Sequence, residues 1–162
     1  MSTPKAERPK FKEYGISPKP KGMLEWKWAE EKLIKSRNYW ICTTRPNGNP
    51  HSAPVWGVWM DGALYFSSAG TSAKVINLKK NPMVSMHLES GDEVVIVEGN
   101  AVMVKDSGVL KKLATVYADK YPGVHIDQEP LDKSPVFAFT PKLAYGWSEE
   151  SFPNTATRWT FD

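Results

Sequence analysis

The sequence predicts a mainly β protein with helices, an antiparallel barrel decorated by a few helical segments. Apolar, strand-forming runs are joined by short turn signals, among them Asn47-Gly48, Asp61-Gly62 and Gly91-Asp92. Helical spacing is confined to the start of the chain and to the gaps between strand groups. Strands and helices do not alternate, and no GxGxxG occurs, which disfavours a doubly wound parallel sheet.

Each element follows from local pattern. Leu24 to Ser36 places apolar residues at 24, 28, 29 and 33, a helical spacing. Tyr39 to Thr44 is rich in strand formers, and Asn47-Gly48 supplies the turn into a second strand, His51 to Met60. Asp61-Gly62 then returns the chain as Ala63 to Ser68. Ala73 to Lys80 reads as a short helix, with Thr71 or Ser72 as its cap, Lys79 and Lys80 at its C-terminal end, and Pro82 beyond it. Met83 to Ser90 and Glu93 to Lys105 are long strands. Val94-Val95-Ile96-Val97 is apolar on both faces, so its outer side needs a second layer or a second subunit. Asp106 to Tyr121 is an amphipathic helix whose stripe is Val109, Leu110, Leu113, Val116 and Tyr117. A polar loop spans 122–134. Strands at Pro135 to Thr140 and Lys142 to Trp147 follow, and then a tail.

Two regions are expected, a basic Pro-rich arm over residues 1–22 and a barrel domain over 23–162. The arm carries five Lys and one Arg against two Glu, and the rest of the chain has 15 basic and 16 acidic residues. The positive excess thus lies in an extended or mobile segment. It is read as a solvated tail, or as an arm lying across a partner subunit through Phe11, Tyr14 and Ile16. With no membrane-length apolar run, no hydrophobic signal core and a single cysteine, the expectation is a cytoplasmic protein without membrane or disulfides.

Conventional catalytic constellations are missing. Cys42 stands mid-strand as a buried inert thiol, and Ser72 lies in no GxSxG elbow. His51, His87 and His125 lack metal-ligand spacing, so no metal is expected. His51 and His87 read as polar strand residues, with His87 beside Glu89. Trp56 and Trp59 point to opposite strand faces, which argues against a nucleic-acid stacking platform. The second strand is more informative. Pro54 suits an edge or a bulge. Gly57 leaves room either for a flat group close to the backbone or for a large core residue opposite. The joint Ser67-Ser68-Ala69-Gly70-Thr71-Ser72-Ala73-Lys74 offers hydroxyls, helix N–H groups and an ammonium suited to an anionic tail.

Four segments, NYWICTTRPNGNPHSAPVWGVWMDGALYFSS, SAKVINLKKNP, VSMHLESGDEVVIVEG and the terminal TATRWTF, together resemble the split-β-barrel flavin and deazaflavin oxidoreductases, relatives of pyridoxamine 5′-phosphate oxidase. The resemblance spans about residues 24–160 and is strongest to the branch that binds coenzyme F420. It implies an FMN-binding-barrel-like split barrel, a homodimer with cofactor at the subunit interface, and hydride transfer between F420 and an unsaturated small-molecule substrate. FMN is the alternative cofactor, and a non-catalytic flavin, haem or tetrapyrrole binder is the alternative of another class. Also by resemblance, Pro54, Val55, Trp56 and Gly57 lie beside the ring, while Ser67, Ser68, Ser72 and Lys74 hold the ribityl and phosphate portion. Arg158 and Trp159 match a C-terminal motif that can close the site, including from the other subunit. Relatives carry basic residues beside the Lys74 position and two residues after it, where this chain has Ala73 and Ile76. No side chain is assigned to the chemical step.

Overall fold

Antiparallel pairing organises the whole chain. A computed structural model describes residues 3–11, 13–126 and 130–162. Its nine strands are β1 (Lys5–Glu7), β2 (Asn38–Thr44), β3 (Pro50–Trp56), β4 (Val58–Met60), β5 (Ala63–Ser67), β6 (Met83–His87), β7 (Glu93–Met103), β8 (Val136–Ser148) and β9 (Thr157–Thr160). Four helices accompany them, α1 (Trp26–Lys35), α2 (Ala73–Lys80), α3 (Ser107–Lys120) and α4 (Phe152–Thr155). The main sheet order is β1-β9-β8-β7-β6-β2-β3, with β5 pairing both β4 and β8. Since β3 runs into β4 through Gly57, the circuit β2–β3/β4–β5–β8–β7–β6 closes on itself as a barrel. The outer edge of β8 is divided: its first half pairs β5 and its second half pairs β9.

The core follows from strand alternation. Tyr39, Ile41, Val55, Leu64, Phe66, Met86, Val95, Val97, Phe139, Ala144 and Trp159 point inward and are buried. A second apolar cluster lies under α3, where Leu113, Tyr117 and Tyr121 cover Val58, Met60 and Val136. The α3 cap is Asp106, whose carboxylate accepts the Val109 N–H at 2.8 Å.

Three expectations need correction. The strand expected over 51–60 is broken at Gly57, because the Gly57 N–H and carbonyl bond to α3 residues rather than to a neighbouring strand. The two strands expected at 135–140 and 142–147 are one, β8, running through Pro141. Opposite it, β7 shifts register between Glu98 and Gly99, so Leu143 pairs Glu98 while Pro141 pairs Gly99. Gly99 is required there, since a Cβ would sit 2.0 Å from the Thr140 carbonyl oxygen.

The arm is the third. It is bound to its own chain instead of lying free. Strand β1 pairs β9, and the Arg8 guanidinium donates to the carbonyls of Lys19, Lys21, Asn154 and Ala156 at 2.7–2.9 Å. Phe11 packs on Tyr145, and Tyr14 on Phe152. Of the arm and of the loop expected at 122–134, residues 1, 2, 12 and 127–129 lie outside the described residues. Among the described residues, no helix is long and apolar enough to cross a membrane.

Candidate functional site

The site residues expected from sequence fall in three places. Strand β3 comes first. Among the described residues it pairs only with β2, which leaves its other edge unpaired there, and Pro54 sits on it without withdrawing a needed ladder N–H. Pro54 and Trp56 point outward and are exposed, whereas Val55 faces the core opposite Tyr39 and offers a ligand only its backbone.

Trp56 is held rigidly. Its ring stacks on Tyr121 at 5.1 Å with 8° between planes, and the Arg37 guanidinium lies over it at 5.1 Å. Gly57 resolves to the core alternative: a Cβ there would meet Leu64 Cδ1 and the Tyr65 carbonyl oxygen, each at 2.8 Å. Its peptide groups are gripped by α3. Gly57 N–H donates to the Tyr121 hydroxyl at 3.0 Å, and its carbonyl accepts from Lys120 Nζ at 2.9 Å. Lys120 also donates to the Tyr39 hydroxyl at 2.8 Å. Burial pulls the Lys120 ammonium down to about 8, and burial likewise pushes the Tyr39, Tyr117 and Tyr121 hydroxyls up.

The joint between β5 and α2 is the second place. Ser68 and Ser72 hydroxyls lie 3.1 Å apart, and Lys74 Nζ donates to Ser68 Oγ at 3.3 Å. Ser72 is the N-cap by position, but its side chain turns to Ser68 instead of capping a helix N–H. The result is a triangle of two hydroxyls and an ammonium at the mouth of α2. Ser67 does not join it, because its hydroxyl is engaged with the Ser134 and Pro135 carbonyls. Helix α2 packs on β2 and β3, and Asn77 Nδ2 donates to the buried Thr43 hydroxyl at 2.9 Å. His51 Nδ1 lies 3.4 Å from the same hydroxyl. Helix α2 thus holds the triangle near β2 and β3, the second of which carries the unpaired edge.

The third place is the far side of the sheet. Register puts Glu7, Arg158, Tyr145, Ile96, His87, Trp40 and Pro54 in one cross-strand row on the outer face. His87 lies parallel to Trp40 there, and its Nδ1 donates to the Leu88 carbonyl at 2.8 Å. The polar cross-strand pair expected for His87 is replaced by this stack, because its cross-strand neighbours are Trp40 and Ile96. Val94 and Ile96 are only half-covered on this face, the side that the doubly apolar strand had left in need of a partner layer.

Arg158 ion-pairs with Glu7 and donates to Thr160 Oγ1 at 3.2 Å. Five inter-strand steps separate Arg158 from Pro54 along the sheet, about 24 Å at ~4.8 Å each. A ring lying on Pro54 is therefore out of reach of the same chain's Arg158 along this face. Trp159 departs from its expected ligand role: it points inward opposite Ala144, packs on Trp26 and is 0% exposed. Cys42 also differs from expectation. It is half-exposed on the outer face, 3.3 Å from Ser52 Oγ, because its strand position alternates with the inward Ile41 and Thr43.

Sequence reasoning missed Arg45, His51, Arg37, Lys120 and Tyr121. They come from four separate parts of the chain, with Lys120 and Tyr121 together at the end of α3, and no local spacing links the four. Among the described residues, no three His, Cys, Asp or Glu side chains gather to hold a metal.

Comparison with known proteins agrees with this fold. A sequence model of the family described as pyridoxamine 5′-phosphate oxidase matches residues 27–148. No curated protein matches in sequence. Among solved structures, the chain is similar to the conserved hypothetical protein Rv2991 from Mycobacterium tuberculosis, at 24% identity and a TM-score of 0.66, covering 77% of this chain and 85% of that one. It is similar to an F420 reductase at 22% identity and a TM-score of 0.54, over 70% of this chain and 94% of that one. It is also similar to HutZ, the haem storage protein from Vibrio cholerae, at 16% identity and a TM-score of 0.62, over 71% and 88%. At these identities the structural likenesses establish the fold alone.

Proposed function

The chain belongs to the pyridoxamine 5′-phosphate oxidase family, and from that premise we propose that it is an oxidoreductase binding coenzyme F420, with FMN as the alternative cofactor. The observation that carries this reading is the Ser68–Ser72–Lys74 triangle beside an unpaired strand edge. It joins two hydroxyls to an ammonium that has no carboxylate partner among the described residues. Such a group suits a phosphate, to which Lys74 brings a charge-assisted bond. Pro54 and the Trp56 ring, clamped by Tyr121 and Arg37, offer a flat heterocycle an outer wall.

When bound, the deazaflavin supplies hydride chemistry toward an unsaturated organic acceptor. The protein's part is to orient the ring and to limit water. A second copy of the chain is proposed to complete the site. It would cover the half-exposed Val94 and Ile96 and bring its own Arg158 toward the Pro54 wall.

A non-catalytic haem binder is the competing reading. It is favoured by His87, whose Nδ1 is engaged while Nε2 is left for a ligand. Thermal unfolding with F420, FMN and haem added separately distinguishes them, because a ligand selective for the native state raises Tm. F420 should give the largest rise. A rise with haem alone would replace the oxidoreductase reading.

A further inference from the structure

Next to the serine–lysine triangle, the β2–β3 turn faces the start of α2 across a cavity of 340 Å³ lined by Arg45, Pro46, Asn47, Ala73, Ile76 and Asn77. Both walls are fixed. Arg45 N–H donates to the Asn49 carbonyl at 2.8 Å, and Gly48 N–H donates to the Arg45 carbonyl at 2.8 Å. Asn77, on the helix side, is tied to Thr43 at the root of the turn.

Arg45 lines the cavity from the turn, and two further basic side chains lie outside the lining but within electrostatic reach of it, His51 from β3 and Lys74 from α2. Burial first, and then the charges of Arg45 and Lys74, lower the proton affinity of the His51 ring. None of the three has a carboxylate partner among the described residues. Like charges gathered without a counter-charge repel one another until an anion joins them. Ala73 and Ile76 bring no polar side chain to the cavity, so any charge recognition there falls to Arg45.

We propose that this cavity is a second anion subsite, with Arg45 as its main ligand, for a phosphate or carboxylate carried on the cofactor beyond the group held by Lys74. The subsite rests on the reading that the cofactor phosphate lies at Ser68, Ser72 and Lys74, and it sharpens the choice between cofactors. FMN ends at its phosphate and has nothing to place beside Arg45. F420 continues past its phosphate into a carboxylate-bearing tail, which can enter the cavity. Anion binding also favours the protonated His51 ring, so affinity for the tail should rise as pH falls.

The test compares wild type with Arg45→Gln, an exposed turn position whose replacement should leave Tm unchanged. F420 affinity should fall about tenfold or more in Arg45→Gln, the loss of one charge-assisted bond. A deazaflavin cleaved before the phosphate should bind both proteins alike. The deciding probe is inorganic pyrophosphate, followed by the His51 ring resonances in NMR at constant ionic strength. Pyrophosphate should move those resonances in wild type at concentrations at least about tenfold lower than in Arg45→Gln. Pyrophosphate that leaves His51 unmoved, or moves it equally in both proteins, overturns the subsite whatever F420 does. An Arg45-dependent shift in a protein that binds no F420 would instead leave the anion subsite standing and remove F420 as the cofactor.

Discussion

Replacing Gly57 by alanine tests how the broken β3–β4 strand is built. The new methyl would sit 2.8 Å from Leu64 Cδ1 and 2.8 Å from the Tyr65 carbonyl oxygen, with Tyr39 Cδ2 at 3.5 Å. Leu64 is fully buried, and Tyr65 belongs to a strand paired on both edges, so neither neighbour can retreat freely. Shifting Gly57 would in turn strain its bonds to Tyr121 and Lys120. Overpacking of this kind costs roughly 1–3 kcal/mol, and the backbone contact places Gly57→Ala toward the upper end, about 2–3 kcal/mol. For a chain of this size that corresponds to a Tm lower by about 5–10 °C. Calorimetry of the two proteins without cofactor measures it. A Tm within about 1 °C of wild type would refute the packing account and return Gly57 to the role of a gap for a ligand.

Lys74→Ala removes the ammonium of the triangle but only one recorded side-chain bond. Binding of a phosphate-bearing cofactor should weaken about tenfold or more by fluorescence titration, with Tm nearly unchanged. Lys120 has a folded value of about 8 against an ordinary 10.5, so the unfolded chain holds more protons between these limits. Stability should therefore rise with pH from about 8 to 9.5, before the raised tyrosines titrate with the opposite sign, and Lys120→Met should flatten that slope in denaturant titrations. Glu7→Gln breaks the ion pair to a partly exposed Arg158. It should cost at most about 1 kcal/mol in chemical denaturation, since such pairs are screened by solvent.

How much was legible in the sequence depended on whether the deciding contacts were local. Helix α2 was readable to the residue, because a polar cap position, two C-terminal lysines and Pro82 mark it within a few positions. The β2–β3 hairpin was equally plain from Asn47-Gly48, and Pro54 correctly signalled a strand edge. The break at Gly57 could not be seen, because its cause is Lys120 and Tyr121, more than sixty residues away. The continuity of β8 through Pro141 was hidden for a similar reason, since the accommodating register shift lies in β7.

The terminal strands β1 and β9 are three and four residues long and gain their order from each other and from β8, so no periodicity announces them. At the site, resemblance grouped Ser67, Ser68, Ser72 and Lys74; the structure shows Ser68 in contact with both Ser72 and Lys74, while Ser67 turns to the Ser134 and Pro135 carbonyls. Trp159 shares its motif with Arg158 yet faces the opposite way, as strand alternation requires. The basic partners Arg45 and His51 became visible only once the hairpin was folded against α2.

The most direct measurement of the central claim is a fluorescence titration of F420 into the purified protein, with FMN and haem titrated in parallel and the mass of the complex determined by light scattering. The account predicts saturable F420 binding to a dimer at one cofactor per chain, tighter than FMN and dependent on Lys74. A protein that leaves F420 unbound at high excess while taking up haem or FMN would contradict it.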